Sequence, residues 1–154
     1  MKRMQQWLDE YGESHRNETN KLIHWICVPA IFFSITGLLY SIKLPFSIND
    51  YRLNMAVIAL LLVWFYYLRL SPALSVGMLL FGASCLALCH LIEVRGNMPL
   101  WFFSIVVFVL AWIGQFFGHK IEGKKPSFLK DLQFLMIGPA WLMSFVYRKM
   151  GVKY

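Results

Sequence analysis

Two short runs in this sequence carry residue types that could do chemistry together. The first is Trp112-Ile-Gly-Gln-Phe-Phe-Gly-His-Lys-Ile-Glu-Gly-Lys-Lys-Pro126, where an apolar stretch ends and Gln115, His119 and Glu122 appear in quick succession. Relative to His119 the offsets are minus four and plus three, so the three side chains lie along one helix face. The second run holds His15, Asn20 and His24. Asn20 and His24 stand one turn apart on a shared face, and His15 follows Trp7 and Tyr11 on the apolar side of the N-terminal segment. An imidazole, an amide and a carboxylate at the mouth of an apolar helix are costly to bury without partners, which a bound ion or ligand would supply. The simpler alternative is a His–Glu pair that is only solvated or hydrogen-bonded at a membrane boundary. Several imidazoles with a carboxylate suit a non-haem Fe(II) centre that binds dioxygen, and zinc accepts much the same set. The cysteines are not clustered as ligands, which argues against an iron–sulfur site. Four histidines in the chain are too few for a His-rich di-iron membrane site, so a mononuclear site is the economical expectation.

The elements that must bring these runs together are apolar helices. The 154 residues, enough for one domain over 1–154, are 58% hydrophobic and only 15% charged, which points to a membrane. A transmembrane helix needs about 20 apolar residues, and four stretches qualify: Leu22–Ile42, Leu53–Leu70, Ala73–Ile92 and Leu100–Gly118. A fifth, Leu132–Tyr147, carries Gly138-Pro139 at its centre and is expected to be kinked, re-entrant or interfacial. Ahead of the spans, Met4, Trp7, Leu8 and Tyr11 recur at helical spacing among polar residues, an amphipathic helix for the membrane surface or the bundle. The fold class is therefore all-α: a polytopic membrane helical bundle with four transmembrane helices, an N-terminal amphipathic helix and a kinked C-terminal apolar helix.

This arrangement decides which residues can meet. On a continuous helix His15 and His24 would face opposite sides, but Asn17-Glu-Thr-Asn20 supplies cap-type residues, and a break there lets them converge. Pro29 is expected to bend the first span about two turns in. The start of span one and the end of span four share a side of the membrane, so His15, Asn20, His24, Gln115, His119 and Glu122 can gather at one rim. The net charge of +7 resides in short loops and reads as a topology signal, with no nucleic acid as partner. Lys2, Arg3, Arg16, Lys21, Arg69, Lys120, Lys124, Lys125 and Lys130 on one side face only Lys43, Arg52 and Arg95 on the other, which puts the rim on the cytoplasmic side. His90 and Glu93 end span three at the opposite side, about 30 Å away, and are left out of the site. Spans two and three, joined by the Arg69-Leu-Ser-Pro72 hairpin, read as scaffold or as walls of a lipid-binding cleft, with Gly77, Gly82, Ala83 and Ser84 allowing close packing. Cys27, Cys85 and Cys89 read as buried thiols.

With the motifs in place the chain resembles a known family. His15-x4-Asn20-x3-His24-x4-Pro29, then Trp112-x2-Gln115-x2-Gly118-His119-x2-Glu122-x3-Pro126, then Gly138-Pro139, is similar to the 2-hydroxy fatty acid dioxygenase family, over nearly the whole chain. The resemblance implies an Fe(II)-dependent oxygenase of fatty acid α-oxidation that shortens a 2-hydroxy fatty acid by one carbon with O2. On matching positions it implies His15, His24 and His119 as iron ligands, Glu122 as a fourth ligand or a base, and Asn20 and Gln115 as residues orienting imidazoles or substrate. The acyl chain would lie between the spans among membrane lipid, and Arg16, Lys120, Lys124 and Lys125 are candidates to hold the carboxylate. The membrane expected is the endoplasmic reticulum for a eukaryotic chain and the cytoplasmic membrane for a bacterial one. Two alternatives stay open: a zinc-dependent membrane hydrolase with Glu122 as base, and a non-catalytic lipid-binding or assembly protein.

Overall fold

The computed structural model describes residues 4–13, 15–48, 51–123 and 136–153. Lys2, Arg3, Lys124, Lys125, Pro126, Lys130 and the first four residues of the expected fifth segment lie outside them. The described chain runs α1 (Met4–Gly12), α2 (Glu18–Tyr40), β1 (Lys43–Ile48), β2 (Tyr51–Asn54), α3 (Met55–Leu70), α4 (Pro72–Arg95), α5 (Leu100–Glu122) and α6 (Ile137–Lys149). The helical class stands. Three of the described helices, α2, α4 and α5, are long and apolar enough to cross a membrane. The expected span Leu53–Leu70 corresponds to α3, an apolar helix that is shorter, with 16 residues and a length of about 24 Å. Leu53 does not open this helix, because Leu53 and Asn54 belong to strand β2 and the Asn54 side chain then caps α3 by accepting from Val57 N. The antiparallel hairpin β1–β2 was not expected. It is tied to the end of α4 by a Lys43–Glu93 ion pair at 2.8 Å.

The pairing that positions the site is α2 against α5. Glycines from both helices line this antiparallel seam: a Cβ on Gly37 of α2 would run into Ser104, one on Gly114 of α5 would lie 2.6 Å from Cys27 Sγ, and one on Gly118 of α5 would run into Asn20 Oδ1. With no side chain at these points the two backbones approach closely. The expected small-residue packing on α4 holds only at Gly77, against Met143 and Tyr147 of α6, and at Gly82, against Leu60 of α3. Ala83 and Ser84 are exposed. The turn into α4 is as expected, with Ser71 as N-cap and Pro72 at the first position, where a missing N–H costs nothing.

The two flanking helices differ from expectation in instructive ways. In α6, Pro139 falls in the first turn, not at a central kink, since the described helix begins at Ile137. At 13 residues, about 20 Å, this helix is too short to cross a bilayer alone. Its residues Ile137–Leu142 are buried in a core cluster with Leu8 and Tyr11 of α1 and Val28 and Phe32 of α2. The apolar stripe of α1 thus packs on the bundle through α6, with Tyr11 and Trp141 ring centroids 5.2 Å apart. Pro29 lies eleven residues past Glu18, three turns into α2, deeper than expected.

Candidate metal centre

His24 and His119 are presented by the α2–α5 seam itself, and His15 by the turn just before it. Asn17 ends that turn by capping α2, accepting from Thr19 N at 2.9 Å and Asn20 N at 3.2 Å. The break at Asn17–Thr19 is therefore present and has the expected consequence. His15 is not on the face of α1, because α1 stops at Gly12. Its ring instead folds back onto Tyr11, stacked at 4.2 Å and 14°. The three rings then meet edge to face, with centroid separations of 4.2 Å (His15–His24), 5.1 Å (His24–His119) and 5.7 Å (His15–His119). One nitrogen from each lies within 4.8 Å of the other two. All three are buried, at 4%, 0% and 5% exposure for His15, His24 and His119.

Hydrogen bonds fix which nitrogen faces inward. His15 Nδ1 donates to Tyr11 O at 2.6 Å, and His24 Nδ1 donates to Asn20 O at 2.9 Å. A carbonyl oxygen can only accept, so in each neutral ring Nδ1 carries the proton and Nε2 keeps its lone pair. His24 Nε2 is fully shielded from solvent and makes no hydrogen bond among the described residues. A buried acceptor in that condition costs stability unless something positive approaches it. Backbone-anchored Nδ1–H with Nε2 pointing to a shared point is the arrangement of metal-binding imidazoles. The donor set fits a divalent transition metal on this geometry. Fe(II) and zinc both accept it.

The other expected residues are close by and differently engaged. Gln115 is buried, and its amide lies beside the His24 ring. Asn20, fully buried, donates from Nδ2 to Glu122 Oε2 at 3.0 Å. Glu122 is outside the group of three. Its carboxylate accepts from Arg16 N at 2.9 Å and Asn17 N at 3.0 Å, so it faces the α1–α2 turn. His90 is exposed and bonded to the Tyr40 hydroxyl, sixteen residues further along α2 than His24, about 24 Å. Lys120 is exposed on α5.

A cavity of about 470 Å³ opens beside His15, lined by Asp9, Glu13, Arg16, Lys21, Trp141 and Arg148 among others. Trp141 packs 5.3 Å from His15, and Arg148 is held over Phe145 at 4.5 Å and bonded to Ser144 O and Oγ. Neither Trp141 nor Arg148 is among the residues that the sequence singled out. The available signal was the spacing of Trp141, Phe145 and Arg148, which puts them on one face of α6.

Comparison with known proteins identifies a family for the chain. The sequence model of the Mpo1-like family, described as 2-hydroxy-palmitic acid dioxygenase Mpo1-like, matches residues 1–150. The 2-hydroxy-palmitic acid dioxygenase MPO1 of Saccharomyces cerevisiae is 33% identical over 144 residues, covering 92% of this chain and 78% of the relative. No solved structure matches significantly. With all three clustered histidines, Asn20, Gln115 and Glu122 inside the matched residues, the chain belongs to the Mpo1-like family.

Proposed function

We propose that this protein is a membrane-embedded, Fe(II)-dependent dioxygenase that converts 2-hydroxy fatty acids, with O2, to fatty acids one carbon shorter. The observation that carries this reading is the buried His15–His24–His119 cluster with its nitrogens within 4.8 Å. The printed activity of the yeast relative supports the substrate class. In the overall reaction the C1–C2 bond breaks, C1 leaves as CO2, C2 becomes the new carboxyl, and O2 takes up four electrons with water as the remaining product. Fe(II), when bound, supplies open positions at which a hydroxy acid and O2 are brought together.

The chain's own residues do the rest. Tyr11 O and Asn20 O hold two imidazoles in one tautomer and orientation. Gly118, without a side chain, lets α5 bring His119 up to His24. The cavity beside His15 admits the polar head, and the Arg16 and Arg148 guanidiniums on its wall suit a carboxylate. The acyl chain is left to the apolar helix faces and to lipid. The sequence's nine cations against three favour a mouth on the cytoplasmic side of the membrane. Incubating the purified protein and Fe(II) with 2-hydroxypalmitate in air tests the reading. Pentadecanoic acid formed with matching O2 uptake is the expected result, and unchanged substrate with fully loaded protein would overturn it.

A further inference from the structure

We infer that Glu122 is a positioning residue, whose carboxylate clasps the α1–α2 turn and thereby holds His15 against His24 and His119. The inference rests on the metal-centre reading and deepens it. His24 and His119 stand within helices, where the backbone ladder fixes them, whereas His15 stands in a turn between Gly12 and Glu18. Glu122 Oε1 takes Arg16 N at 2.9 Å, and Oε2 takes both Asn17 N and Asn20 Nδ2 at 3.0 Å. Two of these partners, and Glu122 itself, stand one step from a clustered imidazole. Arg16 follows His15, Asn20 O receives His24 Nδ1–H, and Glu122 itself lies one turn beyond His119. Three charge-assisted bonds at the N-terminus of α2 are also where a carboxylate is most favourable. The last turn of α5 thus fixes the one segment that α2 and α5 cannot position through their own packing.

A double-mutant cycle separates this role from that of a ligand or base. The probe is Co(II), titrated anaerobically into the full chain in detergent. Glu122→Gln keeps one acceptor and turns an NH2 toward the turn's donors, so Co(II) affinity falls about 10–100-fold, the usual loss for a residue supporting a ligand. Once His15 is removed, the turn that Glu122 clasps no longer carries a ligand, so the His15→Ala, Glu122→Gln double variant binds Co(II) as His15→Ala alone does. Multiplying losses, or unchanged affinity in Glu122→Gln, would overturn the inference. Amide hydrogen exchange gives a second readout, independent of metal. Arg16 and Asn17 should exchange faster in Glu122→Gln while mid-α5 amides keep their protection, and unchanged exchange at the turn would equally overturn it. A failure of the metal reading would show in the unsubstituted chain, as no Co(II) binding at all.

Discussion

At the scale of single residues, the centre depends on three imidazoles and on the absence of one methyl group. Replacing His15, His24 or His119 with Ala removes one nitrogen of three, and each variant is expected to bind metal much more weakly and to lose turnover while circular dichroism stays helical. His90→Ala, which removes a contact with the distal Tyr40 hydroxyl, should keep wild-type turnover. A dead His90 variant would contradict the separation of the two ends. Gly118→Ala is the subtler test. Its Cβ would meet His24 Cε1 at 3.3 Å and Asn20 Oδ1 closer still. Overpacking of this kind costs about 1–3 kcal/mol. We expect a lower thermal midpoint and weaker metal binding together, and a variant that matched wild type in both would show that the α2–α5 seam is looser than described.

At the scale of elements, the site is a joint between two long helices, closed by two short ones. Asn17 caps α2 and shapes the turn bearing His15, so Asn17→Ala should cost about 1 kcal/mol of stability and weaken metal binding more than Asn54→Ala, the same change at the cap of α3. Arg148 reaches the cavity beside His15 from the last turn of α6. Arg148→Gln is expected to raise KM for a 2-hydroxy acid severalfold with kcat nearly unchanged; a fall in kcat alone would remove Arg148 from substrate capture. Much of this joint was legible in the sequence, because offsets of three and four put Gln115, His119 and Glu122 on one face and because Asn17 is a strong cap. What was not legible arises from tertiary contact. His15 reaches the centre by folding back on Tyr11, since α1 ends one turn early. The direction of the Glu122 carboxylate is decided by backbone donors a hundred residues away. The hairpin after α2 did leave a trace, Asn49-Asp50 between alternating apolar residues, overridden here by the stronger apolar signal that follows it.

At the scale of the whole molecule, one end of the bundle carries the histidine cluster and the basic rim, and the other carries the hairpin with Lys43, Arg52 and Arg95. In sealed membranes a thiol reagent that cannot cross should label Lys120→Cys and Ser47→Cys from opposite sides, with Lys120→Cys facing the cytoplasm; Cys27, Cys85 and Cys89 are buried and contribute little background. Labelling of both from one side would contradict the spanning arrangement. The charge count suggests this polarity in the sequence, whereas the length of α3 was not legible there, because Asn54 belongs to a strand before it caps the helix. The central claim, that His15, His24 and His119 together hold a metal, is tested most directly by metal analysis of protein purified without oxygen. We predict about one iron per chain, as expected for a single site of this donor set, and its loss in His119→Ala. Iron absent from the wild-type protein after loading with Fe(II), or retained in His119→Ala, would contradict the account.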